Sequence, residues 1–217
     1  MLERIVCLLI GYACGLIQTS YLYGKKNHID IREHGSGNAG TTNALRTLGK
    51  KAGIITFLGD FLKPMLAALL AWLLYRNKEA VLLLELYAGI GAVFGHIFPC
   101  YLGFRGGKGV ATMAGISTLF CIQGGCWYLI PAMIALFVIV VAATRYVSLG
   151  SLLMVWTFFA GIVISGQCGR INLDKNNLYE AYVLIGIYAV ITVIKHRTNI
   201  RRLIRGEENK IFQKKEN

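Results

Sequence analysis

Two glycine-rich segments contain the residue types that bind anions. The first, GSGNAGTTNALR, runs from Gly35 to Arg46, and the second, GHIFPCYLGFRGGKGVAT, runs from Gly95 to Thr112. Both combine hydroxyl, amide and cationic side chains with several glycines, and both adjoin long apolar stretches. Polar groups near hydrocarbon cost free energy unless they are satisfied. Anion-binding loops in a lipid-bound chain therefore predict chemistry on phospholipids.

The first segment combines a turn with the start of a helix. Its glycines allow positive φ, and the Ser36 and Asn38 side chains can hydrogen-bond to neighbouring backbone. A short helix beginning at Thr41 would aim its N-terminus at the same space, which favours an anion, and Arg46 can fork onto a phosphate. A capped interfacial helix with its arginine on lipid headgroups is the alternative. The residues assigned to this anion site are Ser36, Gly37, Asn38, Thr41, Asn43 and Arg46.

The second segment superficially resembles a nucleotide-binding loop but lacks its pattern. The Walker motif places a glycine six residues before its lysine and Ser or Thr directly after it, where this chain has Leu102 and Gly109. ATP hydrolysis is therefore disfavoured. What remains is a glycine nest around the fixed charge of Lys108 at the start of an apolar helix, with Thr112 on the same helix face. The candidates here are Gly106, Gly107, Lys108, Gly109 and Thr112.

Three further places carry polar side chains at the ends of apolar stretches. Arg145 and Ser148 are three residues apart where the fifth predicted span ends and the sixth begins. His196 and Asn199 are also three apart, where the last span ends, and this spacing predicts one shared helical face. His96 precedes Pro99 by three residues. The sequence leaves open whether His96 is a catalytic or substrate-binding group or only bonds to a backbone carbonyl.

Asp60 and Lys63 lie inside an apolar stretch at the spacing of a helical ion pair. Charges in such a position are expensive unless they are paired or face a polar cavity. We interpret them as a structural pair rather than a catalytic dyad.

The apolar elements that must position these residues predict an all-α, polytopic integral membrane protein. The chain is 55% hydrophobic and 16% charged, with a mean hydropathy of +0.55. Apolar runs of about 20 residues can cross a bilayer. The seven predicted spans are 3–23, 54–75, 80–101, 110–125, 126–145, 149–168 and 178–195.

The basic residues indicate the orientation. If the N-terminus lies outside, the inner segments 24–53, 102–109, 144–148 and 195–217 carry 17 of the 23 lysines and arginines, as the positive-inside rule expects. This N-out, C-in arrangement explains the net charge of +12 without nucleic acid. It also places all the candidate segments on one side, where we expect them to converge. We assign residues 1–196 to a membrane domain and 197–217 to a basic amphipathic tail.

Several catalytic motifs are absent from the sequence. It contains no GxSxG nucleophile elbow, no HExxH metal motif and no histidine followed five residues later by aspartate. A covalent acyl-enzyme and a metal hydrolase are therefore disfavoured, and we expect neither a metal nor a cofactor.

Four segments together resemble the bacterial acyl-phosphate:glycerol-3-phosphate acyltransferase family, in order and spacing, across most of the chain. They are GSGNAGTTNALRTLGKKAG (35–53), GHIFPCYLGFRGGKGVAT (95–112), RYVSLGS (145–151) and KHRTNIRRLIRGEE (195–208). Ala39 stands where the family commonly has proline, and Pro64 where it often has glycine, which affects local backbone shape more than polar contacts.

The resemblance implies a seven-helix enzyme of the bacterial inner or plasma membrane with its active site facing the cytoplasm. Such an enzyme moves a fatty acyl group from acyl phosphate to the 1-hydroxyl of glycerol 3-phosphate, forming lysophosphatidate and inorganic phosphate. Its partners are these two substrates and membrane lipid, with functional coupling to an acyl-phosphate-forming enzyme.

For this reaction the candidate residues divide into three groups. We expect the donor phosphate in the Gly106–Gly109 nest with Lys108. We expect Ser36, with Thr41 or Asn43, to stabilise the oxyanion, and either His96 or a substrate phosphate oxygen to take the proton. The residues expected to hold glycerol 3-phosphate are Arg46, Arg145, Ser148, His196 and Asn199.

Two other functions fit parts of the pattern. A transporter of phosphate or a small organic anion shares the spans and the anion nests, but transporters bind substrate near the bilayer midplane, whereas these cations cluster at one surface. A head-group transferase with a nucleotide-linked donor would need an acidic metal motif, and the inner acidic residues Asp30, Glu33, Glu207 and Glu208 lack such spacing.

Overall fold

The computed structural model describes residues 1–211, and within that range the chain is helical with no β-strand. Two 3-10 turns, Ile31–Glu33 and Cys100–Leu102, accompany the longer helices. The α-helices are α1 (Leu2–Gly15), α2 (Thr19–Lys26), α3 (Thr41–Tyr75), α4 (Val81–Ile97), α5 (Val110–Gln123), α6 (Leu129–Thr144), α7 (Val147–Gln167), α8 (Lys175–Lys195) and α9 (Arg197–Ile204).

Five helical segments are long and apolar enough to cross a membrane. They are α1 with α2, α3, α4 with the 3-10 turn that follows it, α7 and α8. The predicted fourth and fifth spans are also apolar helices, α5 and α6, but they have 14 and 16 residues. They are therefore shorter than the roughly 20 residues that a perpendicular crossing requires.

The central helix, α4, packs closely against α1 through glycines. The most apolar stretch of α4 is 78% buried, against 33–39% in the other four segments. A Cβ at Gly11 would lie 1.9 Å from the carbonyl oxygen of Ala88, and one at Gly15, Gly91 or Gly95 would lie 2.2–2.3 Å from a backbone oxygen. Because these glycines carry no side chain, the two backbones can approach to contact. These four glycines therefore serve helix packing.

A buried glutamine interrupts the predicted first span. α1 ends at Gly15, and the two N–H groups of the Gln18 side chain are shared among the carbonyl oxygens of Gly15, Gly95 and His96, which lie 3.1–3.2 Å from its nitrogen. These carbonyls lie at the ends of α1 and α4, where a helix leaves its last C=O groups unpaired. Gln18 therefore caps two helices at once, and this requires the chain to leave α1 before it re-forms a helix at Thr19.

α3 begins 13 residues before the predicted second span. It starts at Thr41, as the predicted short helix does, and continues to Tyr75 with one non-helical residue, Gly49 (φ 87°, ψ −177°). That conformation is open to glycine and strained for other residues. The break turns the first eight residues of α3 into a separate segment that positions the first motif beside α5.

Candidate active site

An open cavity of about 730 Å³ lies at the end of the bundle where α3, α5 and α7 begin. The four motif-bearing segments converge on it as expected. Its apolar part is lined by Phe57, Phe61, Met113, Ile130, Met133, Ile134, Phe137, Val141, Met154, Val155 and Phe158. The predicted site residues that line it are Ser36, Asn38, Thr41, Asn43, Arg46, His96, Lys108, Gly109, Ser148, His196 and Asn199.

The start of α3 presents unpaired hydrogen-bond donors to this cavity. Within residues 1–211, no hydrogen bond occupies the backbone N–H groups of Thr41 and Thr42, and the Thr41 hydroxyl is buried without a partner. Arg46, one turn later, lines the same cavity with an exposed side chain. Free N–H groups at a helix N-terminus attract negative charge, so this end of the cavity suits an anion.

Asn43 has a different role from the one expected. Its side-chain N–H groups donate to the carbonyl oxygens of Ile31 (3.0 Å) and His34 (2.9 Å), and its side-chain oxygen accepts from the Ser36 N–H (2.9 Å). The amide has only two hydrogens to donate, and both are used within the protein. Asn43 therefore holds the loop that carries Ser36, and it has no free donor for an oxyanion.

The glycine nest is also partly occupied by the protein. The Gly106 N–H donates to the Ile97 carbonyl (3.3 Å), and the Gly107 N–H donates to the His96 carbonyl (3.1 Å). These two glycines therefore cap the end of α4 rather than offering their amides to a ligand, and neither lines the cavity. In the described chain, the backbone N–H groups from Lys108 to Ala111 have no hydrogen-bond partner. The candidate anion site therefore lies at the start of α5 and not at Gly106 and Gly107.

Three other predicted residues lie outside the cavity lining. Gly37 adopts φ 69° in the loop before α3, and Thr112 is fully buried with an unpartnered hydroxyl. Arg145 ends α6 in the left-handed conformation (φ 62°) with an exposed side chain, and its carbonyl accepts from the Ile211 N–H at 2.9 Å. Arg145 directly follows α6, which ends at Thr144, and Ser148 lies in the first turn of α7, as the predicted junction of two spans requires.

Glu208 organises the polar end of the cavity, and the sequence interpretation missed it. Its carboxylate accepts hydrogen bonds from Ser148 (3.1 Å), Asn199 (2.7 Å) and Arg202 (2.9 Å). Lys108 donates in turn to the side-chain oxygen of Asn199. We call these five residues the Glu208 cluster. The sequence feature that could have indicated this role is a glutamate within the otherwise basic segment 195–208. No group of three metal-ligating side chains occurs in residues 1–211.

The Glu208 cluster brings part of the predicted tail into the site. Asn199 and Arg202 lie on α9, and Asn209 and Ile211 line the cavity together with Glu208. The predicted tail therefore contributes directly to the site as far as the structure describes it. Its residues 212–217 lie outside the described range.

The surroundings of His196 and Lys108 lower the pKa of both side chains. Burial, and then the nearby Lys108 charge, lower the pKa of His196 to about 4. Its Nδ1 lies 2.8 Å from the Thr192 carbonyl oxygen, which can only accept, so Nε2 is left as an acceptor. Burial lowers the pKa of Lys108 to about 8, although Glu208 opposes this shift.

The predicted Asp60–Lys63 ion pair is confirmed, and it includes a third residue. Lys63 Nζ lies 2.9 Å from Asp60 Oδ1 and 2.7 Å from His96 Nδ1. Asp60 and His96 both line the cavity, and all three side chains are buried. His96 is therefore fixed by side-chain contacts and does not bond to a carbonyl in the way the sequence left open.

Comparison with known proteins identifies the relatives of this chain. The family model for glycerol-3-phosphate acyltransferase matches residues 5–206. A glycerol-3-phosphate acyltransferase of Clostridioides difficile (strain 630) is 42% identical over 98% of this chain and 97% of its own length. The corresponding protein of Bacillus subtilis (strain 168) is 36% identical over 94% and 95%.

Solved structures agree with this relationship. The crystal structure of PlsY, an integral membrane glycerol 3-phosphate acyltransferase, in its glycerol 3-phosphate form superposes with a TM-score of 0.81 at 28% identity, covering 97% of this chain and 99% of that one. The lysophosphatidic acid form gives 0.76 at 28% identity. The apolar helices and this neighbour indicate a multi-pass membrane protein. The chain belongs to the glycerol-3-phosphate acyltransferase family.

Proposed function

We propose that this chain transfers a fatty acyl group from acyl phosphate to the 1-hydroxyl of glycerol 3-phosphate, forming lysophosphatidate and inorganic phosphate. One observation carries the proposal. A single cavity joins the N-termini of α3 and α5 and the cationic side chains of Arg46 and Lys108 to a long apolar lining. Two phosphate groups and one acyl chain require that combination, because each anion needs its own donors and the chain needs apolar walls.

The donor phosphate belongs at the start of α5. The unpaired N–H groups of residues 108–111 and the Lys108 ammonium lie at one wall of the cavity. Helix N-termini and lysine together attract phosphate. From there the acyl chain would extend between Met133, Phe137 and Phe158, which belong to the apolar wall.

Glycerol 3-phosphate belongs in the same cavity, within reach of Arg46 and His196. Arg46 would hold its phosphate, and His196 Nε2 would accept a hydrogen bond from a glycerol hydroxyl. The Ser36 hydroxyl and the unpaired Thr41 hydroxyl and N–H groups at the start of α3 would donate to the developing oxyanion. Such a donor is worth roughly 3 kcal/mol of barrier.

The reaction needs no nucleophile from the protein. Acyl phosphate is a mixed anhydride and is already activated, so the glycerol 1-hydroxyl oxygen can attack the carbonyl carbon directly. The bond between that carbon and the phosphate oxygen breaks, and phosphate departs with the electron pair. The hydroxyl proton passes to a phosphate oxygen, and Lys108 neutralises the leaving group.

We further propose seven membrane crossings with the N-terminus outside and the C-terminus inside, in the bacterial inner membrane. α5 and α6 would be the two short crossings, since about 1.5 Å per residue gives them roughly 21 and 24 Å. The excess of Lys and Arg in the segments around the cavity supports a cytoplasmic site. Cytoplasmic access suits a soluble acceptor and functional coupling to an enzyme that makes acyl phosphate.

Purified protein in lipid can test the reaction directly. It would receive palmitoyl phosphate and labelled glycerol 3-phosphate, without acyl-CoA, acyl carrier protein or added metal. Lysophosphatidate and phosphate in equal amounts would support the proposal, and free fatty acid in their place would mean hydrolysis alone. Labelled glycerol 3-phosphate accumulating inside sealed vesicles, with no product, would favour the transporter instead.

A further inference from the structure

A buried network in the wall of the cavity has no role in the reaction described above. The Lys63 ammonium contacts three acceptors: the Ile17 carbonyl at 2.9 Å, Asp60 Oδ1 at 2.9 Å and His96 Nδ1 at 2.7 Å. Asp60 is 1% exposed and Lys63 is 4% exposed. Burying an ion pair this deeply costs free energy. Such a cost indicates that the pair has a function.

The network determines which nitrogen of His96 carries the proton. An ammonium has three donors and no acceptor, and two of its three partners are oxygens that can only accept. The third N–H then points at His96 Nδ1, which must accept it. In a neutral imidazole whose Nδ1 accepts, the proton is on Nε2. Asp60 Oδ1 is 3.5 Å from Nδ1, farther than Lys63 is from either group, so Lys63 is the donor to both.

His96 lines the cavity, and Nε2 is the ring nitrogen that the Lys63 contact leaves free. Within the described residues this nitrogen has no hydrogen-bond partner. A Cβ added at Gly107 would lie 2.1 Å from Nε2 and 2.8 Å from the Ala39 carbonyl oxygen. The Nε2–H group therefore lies between the loop before α5 and the turn before α3, where the two anion sites meet.

We propose that Asp60 and Lys63 are positioning residues that fix His96 as a hydrogen-bond donor to the bound substrates, and that His96 is not the general base. Its Nε2–H donates to an oxygen of the acyl phosphate and keeps its own proton throughout. The hydroxyl proton of the acceptor ends on the departing phosphate. This inference rests on the proposed acyl transfer for its role, but the state of His96 can be measured without any reaction.

The first test reads the state of His96 in the resting enzyme. The protein would be labelled with ¹⁵N-histidine and placed in lipid, and the four histidines would be assigned by single His→Asn variants. We expect His96 to be neutral with Nε2 protonated. His196 is an internal control, because its bond to Thr192 predicts the opposite form with Nδ1 protonated. Protonation of His96 at Nδ1, or at both nitrogens, would overturn the proposal even if the enzyme is fully active.

A paired variant shows that the two charged residues cause this state. Asp60→Asn with Lys63→Met removes both charges together, so no unpaired charge stays buried. We expect both neutral forms of His96 to appear in the spectrum, with a lower kcat and an unchanged KM for glycerol 3-phosphate. If the variant folds and its His96 signal is unchanged, the pair does not set the proton position. Should it fail to fold, the wild-type spectrum still decides the first point.

A second pair of variants distinguishes the hydrogen-bond donor role of His96 from a general-base role. His96→Ala removes both functions, and we expect kcat to fall by on the order of 10²-fold. Glutamine offers an N–H donor of similar reach but is no base at neutral pH, so His96→Gln should recover about tenfold of that loss if His96 donates. Equal activity of the two variants would contradict the donor role. A wild type that makes no lysophosphatidate would refute the proposed function while leaving the spectroscopic result standing.

Discussion

Lys108 and Asn199 are joined by a hydrogen bond from the lysine ammonium to the asparagine side-chain oxygen, although they lie 91 residues apart in sequence. Asn199 also donates to Glu208. The bond therefore links the loop before α5 to α9 and aligns the cation of one motif with the carboxylate of another. A charge held in this way loses less side-chain entropy when it binds an anion.

Lys108→Ala should abolish most acyl transfer. Removing the cation leaves the departing phosphate without its counter-charge, and we expect kcat to fall by about 10²- to 10³-fold. The measurement is lysophosphatidate formation by purified variants whose helicity by circular dichroism matches the wild type. Arg105→Ala is the control, since Arg105 is exposed on the same loop and does not line the cavity. Near-normal activity of the Lys108 variant would remove this residue from the mechanism.

The pH dependence of acyl phosphate binding should follow the protonation state of Lys108. Its pKa is lowered to about 8, so the ammonium is mostly charged at pH 7 and mostly neutral at pH 9. A phosphate monoester loses its second proton near pH 6 and does not change over this interval. The KM for acyl phosphate should therefore rise between pH 7 and 9. Lys108→Arg keeps its charge in this range, so any activity it retains should show a flat KM, and an equally rising KM would contradict the assignment.

Glu208→Gln should lower the stability of the protein. The carboxylate accepts from Ser148, Asn199 and Arg202, and hydrogen bonds to charged groups contribute about 1.5–3 kcal/mol each. We expect the free energy of unfolding to fall by at least about 1.5 kcal/mol, measured by thermal unfolding in detergent. Glu207→Gln is the matched control because Glu207 is exposed. If both variants unfold alike, Glu208 does not organise the site.

Gly107→Ala should reduce catalysis in a folded protein. The added Cβ would lie 2.1 Å from His96 Nε2 and 2.8 Å from the Ala39 carbonyl oxygen, so the ring must leave its place. We expect kcat to fall by on the order of 10²-fold while the helical content stays constant. At Gly186 in α8, a Cβ would meet only Phe159 side-chain atoms at 3.3 Å or more. Gly186→Ala should therefore keep its activity, and equal activity of both variants would show that the ring position is unimportant.

Local patterns in the sequence predicted most of the long helices and eleven of the residues that line the cavity. Apolar runs of bilayer length specify helices because each run satisfies its own backbone hydrogen bonds. The first motif predicts the helix start at Thr41 from its own turn and hydroxyl residues. The spacing of Asp60 and Lys63 predicts their ion pair, since it depends only on the pitch of one helix.

Only the tertiary structure determines which residues of distant segments become hydrogen-bond partners. The sequence placed Asn43, Gly106 and Gly107 beside the substrates, but their amide hydrogens are used by Ile31, His34, Ile97 and His96. Glu208 enters the site because the chain after α9 turns back toward α7. A hydrogen bond depends on which acceptor lies within about 3 Å, and for residues far apart in the chain only the packing of the helices determines that distance.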